Sequence, residues 1–189
     1  MNIRRPLSLA LGLTLASASA LTVTGMVQGG VTPETRIGGF AVTPFGQPVQ
    51  ELVSASLSGG KFRLDVPTGA PSGRAQAVLT PQNVSWPGVT DPVQISAAAF
   101  AGELKFFTYR DLNGNERHDD NEALTEATVM VGKAALFIPW VSADVMVTAN
   151  KGYLASLRKG WNAVLVEVGR TVNVQPYPSG TEVVISVGR

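Results

Sequence analysis

The sequence predicts an all-β chain: an antiparallel β-sandwich, built as one domain or as two closely packed β subdomains, behind a cleaved signal peptide. Three observations lead there. From Leu21 onward, β-branched or alternating segments recur about every eight to twelve residues, the spacing of sandwich strands. The chain's twenty glycines and twelve prolines, all but Gly12 and Pro6 beyond Leu21, punctuate those segments with turns. A 44% hydrophobic content against 15% charged residues is too apolar for a disordered chain, and 189 residues suffice for a real core.

Residues 1–20 read as a secretory signal. Arg4 and Arg5 form its positive end, 7–16 its apolar run, and Ala18-Ser19-Ala20 the small residues before a cut after Ala20. The run is too short to span a bilayer stably. Arg4-Arg5 followed by Leu7 also hints at twin-arginine export. No cysteine lies near the cut, which excludes the usual acylated anchor, and no later segment reaches eighteen apolar residues. The expected location is therefore secreted, either the periplasm or the cell surface and beyond, with no membrane span in the mature chain. The formal charge of +1 offers no electrostatic footprint for nucleic acid.

Four parts follow from the punctuation: the signal at 1–20, a β part at 21–80, a Pro/Ala-rich connection at 81–102, and a second β part at 103–189. In the first β part, strands are expected at 21–27, 37–43, more weakly 48–57, and 61–66, where Phe62, Leu64 and Val66 alternate with charges. The residues Val23-Thr24-Gly25-Met26-Val27, Gly46-Gln47-Pro48-Val49 and Gly60-Lys61-Phe62-Arg63-Leu64-Asp65-Val66-Pro67 resemble the turn and core pattern of carboxypeptidase-regulatory-like (transthyretin-like) modules. That resemblance covers about forty-five residues, is architectural, and implies no catalytic residue.

Between Thr68 and Ala98 the chain is small and proline-rich. A short strand is expected at 75–79, packing is expected from Val84, Trp86 and Val93, and a helical turn or two at 94–102. The sequon Asn83-Val84-Ser85 is read as chance. Later strands are expected at 104–109, 127–131, 144–149, 153–157, 163–168, 171–174 and 183–187. The short turns between successive late strands predict antiparallel neighbours.

The most informative stretch is the connection 111–122, Asp-Leu-Asn-Gly-Asn-Glu-Arg-His-Asp-Asp-Asn-Glu. Ca²⁺ takes six to eight oxygens, which a loop supplies when ligands alternate along it and one late carboxylate completes the shell. Asp111, Asn113 and Asn115 would be the early side-chain ligands and Arg117 would give its backbone carbonyl. Asp119 would bind directly or through water, and Glu122 with both oxygens. The loop is not an EF-hand: position 6 holds Glu116 instead of glycine, and its flanks read as strands. Asp111, Asn113, Gly114, Asn115, Asp119 and Glu122 resemble, position by position, the calcium loops of SdrD B-like and Cna B-like surface modules, a likeness that covers 106–131. It implies a structural Ca²⁺, a plausible substitute for disulfides in an exported chain without cysteine.

Catalysis is not expected. His118 is the only imidazole and should face solvent from position 8 of the loop; no Gly-x-Ser-x-Gly is present, and the carboxylates are scattered. Without cysteine, thiolate zinc and iron–sulfur sites are excluded. The expected function is a non-enzymatic envelope or extracellular binding or structural accessory, with protein or polysaccharide as partner. The alternatives are a carbohydrate-binding module with exposed aromatics drawn from Trp86, Tyr153 or Tyr177, and a glycan hydrolase using paired carboxylates. Trp140 and Trp161 are expected in the core or at a strand edge.

Overall fold

The computed structural model describes residues 21–29 and 31–187; the signal expected at 1–20 lies outside them. The described chain is almost entirely β, a nearly closed, barrel-like sandwich. The strands are β1 (Leu21–Gln28), β2 (Thr35–Val42), β3 (Pro48–Ser56), β4 (Lys61–Val66), β5 (Ala77–Val78), β6 (Gln94–Ile95), β7 (Phe100–Arg110) and β8 (Thr125–Val131). They continue with β9 (Ala134–Val141), β10 (Val145–Thr148), β11 (Leu154–Leu157), β12 (Gly160–Trp161), β13 (Val164–Val168), β14 (Val172–Pro176) and β15 (Glu182–Val187). No helix among the described residues is long and apolar enough to cross a membrane.

Strand β7 is the hub of the large sheet. Along one edge it pairs with β2, Thr35 opposite Arg110 through Val42 opposite Glu103, and beyond that with β5. Its other edge is shared: β9 pairs with 101–104 and β8 with 106–108. From there the order runs outward through β13 and β14 on one side, and through β15, β1 and β4 on the other. The sheet therefore takes strands from both 21–80 and 103–189. A smaller sheet, β11-β10-β6, covers the β9–β13–β14 side.

Three apolar clusters follow from this arrangement. The main core joins Val23, Ile37, Phe62, Leu64, Leu104, Phe106, Ile138 and Ile185. Strand β4 contributes through the alternation the sequence shows, with Phe62, Leu64 and Val66 buried and Lys61, Arg63 and Asp65 exposed. A second core holds Trp86, Phe137, Val141, Val147, Tyr153, Leu157 and Val166, so the proline-rich connection does pack. A third, smaller cluster of Phe40, Val42, Phe107 and Tyr109 lies on the opposite face of β2 and β7 from the main core. Fully burying one such side chain contributes about 1.5–3 kcal/mol.

Several expectations need correction. No helical turn forms at 94–102: β6 and the start of β7 occupy it, because the Ser96 N–H donates to the Met146 carbonyl (3.0 Å) and the Ala99 carbonyl accepts from Leu79 (2.8 Å). Strand β9 was not foreseen. Its run Ala-Ala-Leu-Phe-Ile-Pro-Trp-Val lacks alternation because it is buried on both faces, Ile138 in the main core and Phe137 and Val141 in the second, and Pro139 disguises it further. The sandwich is not purely antiparallel either, since β15 lies parallel to β1, with Gly25 opposite Val183. The rule of tight connections holds for β10–β11 and β13–β14 but not for β11 to β13, which lie in different sheets, nor for β14 to β15, which returns to lie between β8 and β1.

Candidate cation loop

The loop leaves β7 at Asp111, whose N–H donates to the Glu34 carbonyl (2.9 Å), and the chain returns as β8. Two of its carboxylates are buried: Asp111 is 8% exposed and Glu122 5%. Asp111 folds the first half around itself, Oδ1 accepting from Gly114 N–H (2.7 Å) and Oδ2 from Glu116 N–H (2.9 Å). Glu122 bridges the two halves, Oε1 accepting from Leu112 N–H (2.7 Å) and Oε2 from Asp119 N–H (3.1 Å). Between them, Asn113 Oδ1 accepts from Asn115 N–H (3.0 Å) and Asn115 Oδ1 from Arg117 N–H (2.8 Å). These are the turns that short Asn and Asp side chains make with backbone two residues on. Both amides then donate to Asp119 Oδ2, at 2.7 Å from Asn113 and 2.8 Å from Asn115.

Five of the six residues singled out by sequence thus meet in one network through their side chains, and Arg117 joins through its N–H. Gly114 has φ 71° and Glu116 φ 65°, so the backbone enters the left-handed region at position 6 although the residue there is not glycine.

Strand β3 holds the loop from below, which no motif announced. Glu51 Oε2 accepts from His118 N–H (3.1 Å), its Oε1 accepts from Tyr109 Oη–H (2.7 Å), and Ser54 Oγ donates to the Glu116 carbonyl (2.9 Å). His118 does not face solvent as expected. Its ring packs edge-on against Phe40 (5.6 Å) and Tyr109 (5.4 Å), and its Nε2 lies 2.8 Å from the Glu122 carbonyl. The third apolar cluster therefore continues into the loop through that imidazole. Burial, together with the hydrogen bond to Glu51, pushes the Tyr109 phenol up to about 12.

No family model, no curated protein and no solved structure matches this chain. The likeness to the B-type surface modules therefore rests on the loop residues themselves, and their fit to a cation is a question of donor chemistry.

Among the described residues the ion pairs are Arg63–Asp65, Lys105–Glu126, Arg110–Glu34 and Arg158–Asp144, so Asp111, Asp119 and Glu122 have no cationic side chain against them. A buried carboxylate needs neutralising charge or hydrogen bonds; Asp111 and Glu122 have backbone N–H groups only, and half-buried Asp119 has the two side-chain amides. Carboxylate and amide oxygens keep a further lone pair after accepting one N–H, so the set suits a hard cation. Among the described residues no three carboxylate, imidazole or thiolate side chains form a metal-holding group, so Asp111, Asp119 and Glu122 do not converge on one point in this structure. Drawing Asp119 onto an ion would exchange its two amide donors for the cation.

The aromatics named for a glycan platform are buried: Trp86 is 9% exposed, Tyr153 1% and Tyr177 9%. Each fills a core position, which overturns that expectation. Trp140 is buried too, opposite half-buried Trp161 in the β9–β12 pair. A cavity of ≈ 490 Å³ beside the loop is lined by Thr32, Thr35, Thr108, Arg110 and Asn121 with one carboxylate, Glu122. The groove of ≈ 380 Å³ at Trp140 and Trp161 has Lys159 as its charged residue.

Proposed function

We propose that the protein is an exported, non-enzymatic envelope or extracellular β-sandwich that acts as a binding or structural accessory, its 111–122 loop stiffened by a structural Ca²⁺. The observation that carries this reading is the meeting of Asp111, Asn113, Asn115, Asp119 and Glu122 in one network with two buried carboxylates and no cationic side chain against them. Asp111 and Glu122 would hold the ion at the two ends of the loop, and the ion would supply the positive charge they lack. The Arg117 carbonyl completes the proposed set. Partner proteins or polysaccharides of the envelope follow from export and fold class by analogy. Against glycan hydrolysis, paired carboxylates must flank one bond, and each cavity described above is lined by one carboxylate or none.

Thermal unfolding of the chain from Leu21, with excess Ca²⁺ and with chelator, tests this reading, alongside a variant carrying Asp111→Ala and Glu122→Ala. An ion at a hundredfold its dissociation constant adds about 2.7 kcal/mol, a rise of roughly 5–10 °C at this size. That rise should vanish in the variant. Identical melting of the wild type with Ca²⁺ and with chelator would remove the ion from the proposal.

A further inference from the structure

The pair Asn113-Gly114 lies at the exposed start of the loop, and glycine leaves the following backbone nitrogen unusually open to attack the preceding side-chain amide. We propose that Asn113 is a spontaneous deamidation site that the closed loop protects, so that its modification records loop opening. The closed geometry ties down the three groups the reaction must bring together. Gly114 N–H, the nucleophile, points at Asp111 Oδ1 (2.7 Å). Asn113 Oδ1 is held by Asn115 N–H (3.0 Å), and Nδ2, the leaving group, is held by Asp119 (2.7 Å). With φ 71° at Gly114 the turn is fixed as well.

When the loop opens, Gly114 N attacks Asn113 Cγ. The N–Cγ bond forms, the Cγ–Nδ2 bond breaks, and the amide proton leaves with the departing nitrogen as ammonia. Water then opens the succinimide. Cleavage at Cγ gives aspartate at 113; cleavage at the main-chain carbonyl gives isoaspartate. The steps are redox-neutral and water is the only co-reactant. Aspartate would add a carboxylate to the oxygen set. Isoaspartate lengthens the main chain by one atom, which shifts Asn115, Asp119 and Glu122 out of register with Asp111. The modification is thus one-way for the site.

Asn115-Glu116 in the same network is the internal comparison, because glutamate hinders the same attack. Trypsin cuts after Arg110 and Arg117, so both asparagines travel in one peptide, 111–117. The purified protein is incubated natively with Ca²⁺, natively with chelator, and unfolded in urea, and the peptide is followed by mass and by isoaspartate labelling. Asn113 should deamidate about tenfold or more slowly in the native protein than in urea, since each 1.4 kcal/mol of closure gives a factor of ten. Asp111→Ala, whose fold is checked by near-ultraviolet circular dichroism, should lose most of that protection. Equal rates in native and unfolded protein, or modification of Asn115 as fast as Asn113, would overturn the proposal. The comparison of Ca²⁺ with chelator rests on the calcium reading: slower modification with Ca²⁺ supports both. Equal native rates with and without Ca²⁺, still well below the rate in urea, support the site and count against the ion.

Discussion

Glu116 occupies a backbone conformation that its side chain disfavours, and relieving it isolates the loop's own contribution to stability. Its φ of 65° lies in the left-handed region, where an L side chain costs about 1–2 kcal/mol. Glycine removes that cost but gives up about 0.5–1 kcal/mol more backbone freedom on folding. Both tertiary contacts of this residue are main-chain: its N–H to Asp111 and its carbonyl from Ser54 survive any side-chain change. The side chain itself is exposed. Glu116→Gly should therefore stabilise the protein by about 0.5–1 kcal/mol, raising the melting temperature by roughly 1–4 °C. Glu116→Ala removes the same charge and keeps the Cβ, so it should leave stability near the wild type. Urea unfolding of the three proteins with unchanged m-value provides the comparison. If the glycine variant proves no more stable than the alanine variant, the left-handed backbone at position 6 is not a cost, and the reasoning fails.

Three further outcomes concern the packing. The Tyr153 hydroxyl is buried without a hydrogen-bond partner among the described residues, so Tyr153→Phe should stabilise by about 1–3 kcal/mol; a loss of stability would mean the hydroxyl has a partner. Burial also pushes the Tyr153 phenol up to about 12. Because the folded value is raised, the unfolded chain releases its proton first. The associated stability is complete below about pH 10 and lost as pH climbs to about 12, a fall the phenylalanine variant should show less of in urea midpoints taken across that range. At Gly25 an added Cβ would come 2.3 Å from the Val183 carbonyl, across the parallel β1–β15 pair. Gly25→Ala should destabilise by about 1–3 kcal/mol or more, read from the same unfolding curves, and a neutral effect would mean those strands are farther apart.

What the sequence disclosed depends on how local each signal is. Strand β4 was legible because one face is wet and the other dry, and hairpins such as β10–β11 because a tight turn leaves one pairing. Strand β9 was hidden by being buried on both faces, and the β1–β15 pairing joins residues about as far apart as the described chain allows, beyond any local pattern. The oxygen spacing of the loop is a local fact and was read directly. Asp111 and Glu122, the buried members, stand at the two ends of the loop and turn their oxygens inward onto the loop's own N–H groups. Nothing local linked Glu51 and Ser54 to the loop, since they lie 67 and 62 residues from their partners on a strand with only a weak pattern.

That remote contact decides what a bound ion would do. Among the described strands β3 has a single ladder partner, β2, and its other edge approaches β4 without a ladder. Such an edge is the weakest part of a sandwich and a template for unwanted pairing. The loop grips it twice, at Glu51 through His118 N–H and at Ser54 through the Glu116 carbonyl, while the His118 ring rests on Phe40 of β2. A cation drawing Asp111, Asp119 and Glu122 together would fix the backbone between them, and with it both grips. Its stabilising effect would then reach beyond twelve residues of loop, to the edge where the barrel is left open. Amide exchange on β3, compared with and without Ca²⁺, reads this directly: added protection there follows from the two grips, and protection confined to 111–122 would mean that they do not transmit.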